Sequence, residues 1–325
     1  MAHGAPMPLP SQPSQIDAQL QHADWFASVG QLAPALGMYR TAALQCEQQG
    51  DHARALAIHA RIARLDHDPG VRLRIGELQL ALGQSRQAAE TLDGVVRDEL
   101  RWARVPQALA AATVAVQADA TPMRRLVLAD LAQRAGAYEL AAEQLATLAQ
   151  LELTAGRHAR AQSLCVRALR LAPQHLPSLR AAADAHLRAR DVHRAVAAIR
   201  CILAQAPGDA VALEGMAEAF VLLGRRERAA EVMRLLAVRL AAAGPVQADA
   251  ARAVIHRGLS WQPDHEGLRA LDRQLTDRPG PVSREILAEA TRVIDLGDLL
   301  EVRGAAPPPR HAPPPRRTGA YATAR

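Results

Sequence analysis

The sequence predicts an all-α fold in which antiparallel helical hairpins stack on one another. Seven residues at positions that end helices are each followed, five residues later, by an alanine. Several of these positions are 33 or 34 residues apart, which is the period of a two-helix repeat. The chain is 49% apolar but only 2% aromatic, so we expect cores of small aliphatic side chains that let helices approach closely. The helix-ending residues are Gly30, Gly50, Gly83, Gly136, Gly156, Arg190 and Gly224.

The individual helices follow from their end signals. Ser14 is a suitable N-cap for the first helix, and further helices are predicted at 31–49 and 52–65. A proline opens or precedes several later helices, because the first helical turn needs no amide donor. Three glycine pairs 20 residues apart each enclose one longer helix. We expect about 14 to 16 helices in all. These prolines and glycine pairs are Pro69, Pro173, Pro207 and Pro263, and Gly30–Gly50, Gly136–Gly156 and Gly224–Gly244.

The predicted domain organisation is a single helical array with a tail at each end. Residues 1–13 are Pro-rich and are expected to be disordered. The array is predicted to span 14–302, ending in a helix at 282–293 and an apolar and acidic segment that caps the last hairpin. Residues 303–325 contain two runs of three prolines and are expected to be disordered, with polyproline II character.

The composition removes most catalytic chemistry. The chain contains no lysine, which excludes a Walker A phosphate-binding loop, a Schiff-base nucleophile and a pyridoxal phosphate anchor. Gly-rich dinucleotide, nucleophile-elbow and His-Glu-x-x-His motifs are also missing from the sequence. The sequence therefore predicts a protein that is not an enzyme and that holds no cofactor.

Metal binding is not predicted either. His52, His59, His67 and Asp68 are the nearest approach to a ligand cluster, but their spacing does not match a metal motif, and packing or exposed roles are the simpler interpretation. The three cysteines are widely separated and form no Cys-x-x-Cys pair, so they are interpreted as core residues.

A family resemblance rests on two sets of residues with characteristic spacing. Their pattern resembles that of tetratricopeptide repeats over roughly residues 30–265, although the large aromatic residues of the repeat are mostly replaced by Leu, Ala or His. The resemblance implies a right-handed solenoid that acts as a protein-binding scaffold. The two sets are Leu213, Met216, Ala217, Phe220, Gly224, Ala229 and Met233, and, for a second helix, Ala161, Cys165, Ala168 and Pro173.

The resemblance also implies where a partner binds. In that family the first helix of each hairpin lines a concave groove, and the residue six before the helix-ending position points into it. Here those residues are all acidic, so we expect a ladder of carboxylates that suits a basic or Arg-rich peptide. They are Glu77, Asp130, Asp184 and Glu218.

A simpler interpretation of part of this ladder is local ion pairing. Arg134 and Arg188 stand four residues after Asp130 and Asp184, the spacing of intrahelical pairs. The family's carboxylate clamp for peptide termini uses Lys and Asn, and this sequence contains neither residue. Binding of a peptide by its terminal carboxylate in the family's standard way is therefore disfavoured.

An alternative function places the activity in the C-terminal tail. Residues 303–325 contain five arginines and no acid, so they account for five of the six net positive charges. Arg310, Arg316 and Arg317 form a possible linear motif, in a regulatory or nucleic-acid-associated protein. The nearly neutral remainder and the scattered tryptophans argue against a nucleic-acid interface. Without a signal-peptide pattern or a membrane-spanning run, the sequence predicts a cytoplasmic protein with protein partners, and it does not indicate an oligomeric state.

Overall fold

The computed structural model describes residues 15–277, and this range consists of helices joined by short turns. It contains fifteen α-helices, one 3₁₀-turn at Pro245–Gln247 and no strand, which confirms the all-α prediction. The predictions for 1–13, Ser14, 282–302 and 303–325 concern residues outside this range. The helices are α1 (Gln15–Ser28), α2 (Leu32–Gln48), α3 (His52–Leu65), α4 (Pro69–Ala81), α5 (Ser85–Arg101), α6 (Val105–Ala118), α7 (Pro122–Arg134), α8 (Tyr138–Thr154), α9 (His158–Leu171), α10 (Leu176–Arg188), α11 (Val192–Gln205), α12 (Ala210–Leu222), α13 (Arg226–Ala242), α14 (Ala248–Trp261) and α15 (Glu266–Asp277).

All seven predicted helix-ending residues adopt a left-handed backbone conformation, with φ between 57° and 78°. At Gly83, for example, the amide donates to the carbonyl of Leu80 at 2.9 Å, and the amide of Gln84 donates to the carbonyl of Gln79 at 2.8 Å. These two bonds form a Schellman motif, which satisfies the last carbonyls of the helix. Ala103, at φ 54°, ends α5 in the same way and was not among the predicted positions.

The alanine five residues after each of these positions is fully buried. Its amide donates to the carbonyl of the N-cap residue, as Ala88 does to Gln84 at 2.9 Å, so it marks the first complete turn of the next helix. A methyl side chain here lets the next helix start close against its neighbours. The alanines are Ala35, Ala55, Ala88, Ala108, Ala141, Ala161, Ala195 and Ala229.

The helices are arranged in blocks of three. A helix of 13 or 14 residues is followed by one of 17 and then by one of 14, in α1–α3, α4–α6, α7–α9 and α12–α14. The predicted longer helices are thereby confirmed as α2, α8 and α13, and α5 is a fourth. In the first three blocks the left-handed positions recur every 53 residues, at 30, 83 and 136 and again at 50, 103 and 156.

The described residues group into two compact units. Unit 1 contains residues 15–190 and 198–207, and unit 2 contains 191–197 and 208–277, so α11 contributes to both. Each unit has a core of Ala, Leu, Ile and Val side chains. Unit 2 adds Phe220, which is completely buried. Cys46 and Cys165 lie in the core as predicted, whereas Cys201 is exposed, because its position on α11 faces away from the buried side.

Candidate functional site

The four carboxylates predicted to bind a partner occupy the same register on four helices. Glu77, Asp130 and Asp184 lie on α4, α7 and α10 in unit 1, and Glu218 lies on α12 in unit 2. Each is the sixth residue before the left-handed residue that ends its helix. Their side chains are between 33% and 49% exposed, so all four are reachable from solvent.

Glu77 belongs to a charged cluster between α2, α3 and α4. Arg74 donates to Glu77 Oε2 at 2.6 Å and to Glu47 Oε2 at 2.6 Å. Glu47 is well shielded from solvent and also contacts His59 Nε2 at 2.8 Å. The hydrogen bond from Arg74, reinforced by His59, lowers the pKa of Glu47, and the two carboxylates raise the pKa of Arg74. His59 is therefore a hydrogen-bonding member of this charged cluster.

Asp130 has a different partner from the one that its helix suggests. The guanidinium of Arg167 on α9 donates to Asp130 Oδ1 at 2.5 Å and to the side-chain oxygen of Gln133 at 2.7 Å. The expected partner was Arg134, four residues along the same helix. A tertiary contact between α7 and α9 supplies the arginine instead, and the helical spacing rule cannot detect a partner 37 residues away.

Asp184 has the predicted partner. The Nε of Arg188 donates to Asp184 Oδ1 at 2.7 Å, an intrahelical pair at i,i+4. Its side chain is one-third exposed, so the pair is only partly screened by solvent.

Glu218 has the weakest ion pair of the four. Its Oε2 is 3.9 Å from Nη2 of Arg257, whose other terminal nitrogen donates to Glu214 at 3.3 Å. The Arg257 guanidinium also stands over the ring of Trp261, 5.3 Å from its centroid. Arg257 is therefore shared between two carboxylates and an aromatic ring, which leaves Glu218 the least neutralised of the predicted residues.

A fifth carboxylate at this register was missed by the sequence analysis. Asp24 is the sixth residue before Gly30, so the same rule would have found it. Its carboxylate accepts a hydrogen bond from the hydroxyl of buried Tyr39 and a bidentate contact from Arg61 on α3, at 3.0 and 3.1 Å. A carboxylate six residues before the left-handed end of its helix thus repeatedly pairs with an arginine.

The other predicted sites have separate outcomes. Residues 15–277 contain no group of three His, Cys, Asp or Glu side chains arranged to hold a metal ion, and the Nδ1 atoms of His52 and His59 are buried without hydrogen-bond partners. No helix in this range is both long and apolar enough to cross a membrane. Arg310, Arg316 and Arg317 lie outside the described residues.

Comparisons with known proteins agree with the repeat pattern. Residues 47–113, from the end of α2 into α6, match the family model described as tetratricopeptide repeat. No curated protein sequence is similar enough to this chain to count as a relative.

Several solved structures resemble the chain at low identity. The type IV pilus biogenesis factor PilW is 16% identical, with 63% of this chain and 99% of PilW covered and a TM-score of 0.36. A domain of yeast Sti1 in complex with an HSP90 peptide is 14% identical, with coverage of 81% and 99% and a TM-score of 0.28. YrrB, described as having an unusual peptide-binding site, is 13% identical, with coverage of 73% and 91% and a TM-score of 0.26. At these scores the likeness supports no assignment of a partner.

Proposed function

We propose that this chain is a tetratricopeptide repeat protein and a non-catalytic scaffold that binds a basic segment of a protein partner. The partner would bind along the carboxylates that lie six residues before a left-handed helix end, which we call the first-helix carboxylates. Tetratricopeptide repeats generally act as protein–protein interaction scaffolds and are typically not enzymes. The proposed binding residues are Glu77, Asp130 and Asp184 in unit 1, with Glu218 forming a corresponding site in unit 2.

The proposal rests on carboxylate oxygens that accept no hydrogen bond from the described residues. Glu77, Asp130 and Asp184 each accept one hydrogen bond from an arginine through a single oxygen, and among residues 15–277 no group donates to the second oxygen. A carboxylate has about four acceptor sites and can hold a planar guanidinium through both oxygens. Each position can therefore accept a donor from a partner without first losing its internal arginine.

The internal arginines limit the binding free energy that each carboxylate can contribute. They reduce the negative potential at each carboxylate, and partly exposed ion pairs contribute only about 0.2–1 kcal/mol each. Useful affinity therefore needs several carboxylates to act together. The carboxylates stand on preformed helices, so the peptide loses most of the conformational entropy on binding and the scaffold loses little. Such binding should weaken as ionic strength rises.

A charge-matched comparison tests the proposal. The full chain is titrated into a fluorescein-labelled peptide of alternating arginine and serine, and fluorescence anisotropy gives the Kd. The triple variant Glu77→Gln, Asp130→Asn and Asp184→Asn should bind about tenfold more weakly, since three partly exposed pairs are lost. The control triple, Glu90→Gln, Glu139→Gln and Asp249→Asn, removes the same charge from exposed positions on other helices. It should stay within twofold of the wild type.

If the two triple variants weaken peptide binding equally, the peptide responds only to the net charge of the protein. That result would contradict the proposal. A chain truncated after residue 302 should bind the peptide as the full chain does. If binding of a partner depended on residues 303–325 instead, the activity would belong to the arginine-rich tail.

A further inference from the structure

Unit 1 contains a pocket that neither the repeat pattern nor the carboxylates explain. It has a volume of about 380 Å³ and lies between α5, α6 and the first turns of α7. This volume falls within the usual range of ligand pockets, roughly 300–1,000 Å³. Its apolar walls are formed by Val96, Leu100, Ala112, Ala115, Met123 and Val127.

The pocket is open because small side chains face it from α6. Ala112 and Ala115 are both buried and end at a methyl group, so α6 leaves space that a larger residue would fill. At the mouth, the side chain of Met123 is 70% exposed. A flexible thioether in water beside an apolar cavity is typical of surfaces that adapt to a bound apolar group.

Among the described residues, one charged side chain that lines this pocket, Arg97, forms no ion pair. Arg124 donates to both oxygens of Asp93 at 2.9–3.2 Å and also binds Asp119, so the donors of Arg124 are used within this trio, which carries a net charge of −1. Arg97 differs, because its Nε donates only to the backbone carbonyl of Asp93 at 3.3 Å. Within residues 15–277 its guanidinium forms no ion pair, and it remains exposed.

We infer that this pocket binds an apolar side chain of a partner protein that carries a carboxylate next to it. The apolar walls account for the side chain and Arg97 accounts for the carboxylate. Locally, Arg97 favours a carboxylate over an amide, whereas the first-helix carboxylates favour a basic segment, so the two sites have different charge preferences. The inference therefore goes beyond the proposed function and does not depend on it.

The experiment uses methyl NMR on the full chain. The chain contains six methionines, and ¹³C-methyl labelling gives each a separate resonance, with Met123 assigned through Met123→Leu. The probe is an acetylated and amidated tripeptide, Leu-Leu-Glu, and its controls are Leu-Leu-Gln and Ser-Ser-Glu. Leu-Leu-Glu should shift the Met123 resonance and bind about threefold more tightly than Leu-Leu-Gln, while Ser-Ser-Glu should cause no shift.

Two arginine variants on one helix separate the pocket charge from general electrostatics. Arg97→Gln should remove the preference for glutamate over glutamine, whereas Arg86→Gln, at the exposed far end of α5, should retain it. Charge reversal by Arg97→Glu should transfer the preference to a Leu-Leu-Arg peptide. These substitutions are at exposed positions, so they test the pocket without changing the core.

Filling the cavity tests the apolar part. Ala112→Leu should abolish the Met123 shift while the helical circular dichroism is retained. Equal binding of the glutamate and glutamine peptides to the wild type, or an unchanged preference in Arg97→Gln, would overturn the assignment of Arg97. An unperturbed Met123 resonance at millimolar Leu-Leu-Glu would overturn the pocket as a binding site.

Discussion

Ala103 and Gly156 occupy equivalent places, 53 residues apart, and both hold left-handed backbone conformations, with φ of 54° and 75°. Each ends a 17-residue helix through the same pair of Schellman hydrogen bonds. An alanine in this conformation brings its Cβ close to the following carbonyl oxygen, which costs roughly 1–2 kcal/mol, whereas glycine has no such contact. The repeat geometry therefore holds a residue that is locally unfavourable.

The first prediction is that Ala103→Gly raises the free energy of unfolding by about 0.5–1 kcal/mol. Relief of the steric cost exceeds the greater entropy of glycine in the unfolded chain. Urea denaturation followed by circular dichroism measures the change. Ala110→Gly, at an exposed position inside α6, is the matched control and should lower stability by about 1 kcal/mol. If both substitutions destabilise the chain, Ala103 is not strained.

The second prediction concerns the close approach of α4 and α5. Gly76 faces Leu92, and a Cβ on Gly76 would lie 2.6 Å from Leu92 Cγ, inside the van der Waals limit. Leu92 is completely buried in a core cluster, so a shift of its side chain would disturb its packing. Gly76→Ala should therefore destabilise the chain by about 2 kcal/mol, despite the better helix propensity of alanine.

Gly94 provides the control for this substitution. It lies in α5, and a Cβ at Gly94 would meet no atom within 4 Å. Gly94→Ala should raise the free energy of unfolding by about 0.5–1 kcal/mol, because only the propensity difference remains. Equal effects of the two substitutions in thermal unfolding would contradict the role of Leu92.

The third prediction follows from the Glu47 cluster. Because the pKa of Glu47 is lowered in the folded chain, its contribution to stability is present above its usual value of 4.5. This contribution is lost as the pH falls through the lower folded value. Glu47→Gln should cost about 1–2 kcal/mol at pH 7, because Arg74 and His59 lose a shielded partner. Urea denaturation between pH 7 and pH 3 should show a smaller acid-dependent loss in the variant than in the wild type.

Glu90→Gln is the control for this cluster. Glu90 pairs with Arg86 at i,i+4 on an exposed surface, so its replacement should change stability by less than about 0.5 kcal/mol. An acid-dependent loss of the same size in Glu47→Gln and the wild type would assign that loss to other groups.

The fourth prediction concerns Tyr39 at alkaline pH. Burial, together with the hydrogen bond to Asp24, raises the pKa of Tyr39 to about 12, from its usual 10. Because the folded pKa is raised, the stabilising contribution is complete below pH 10 and is lost as the pH rises through 12. In an ultraviolet absorbance titration, one of the three tyrosines should therefore ionise late. Tyr39→Phe should remove that late step alone, and a full phenolate signal near pH 10 in the folded chain would disprove the prediction.

Local backbone chemistry explains why so much of the fold could be predicted. A left-handed residue at a helix end, usually glycine, and an alanine five residues later belong to one turn, so most of these turns can be recognised in the sequence. Ala103 escaped prediction because its neighbours enforce a conformation that its own residue type disfavours. Asp24 was not predicted either, although it also lies six residues before a helix-ending glycine.

The register of the acidic residues could be predicted, but most of their ion-pair partners could not. Glu77, Asp130 and Asp184 each lie six residues before the left-handed end of their helix, as predicted, and the i,i+4 rule correctly paired Asp184 with Arg188. It missed the contact between Asp130 and Arg167, which joins two helices. The apolar pocket had no counterpart in the sequence, because its walls come from three helices and depend on how far apart these pack.

By itself the sequence determined the all-α repeat fold, most of the helix ends, three of the four longer helices and the register of four acidic residues, since each depends on contacts within a few residues. Only the tertiary structure decided that Arg167 neutralises Asp130 and that Arg257 lies near Glu218, and that a cavity beside Arg97 remains open. Those outcomes depend on distances between side chains far apart in the chain, and local spacing does not encode such distances.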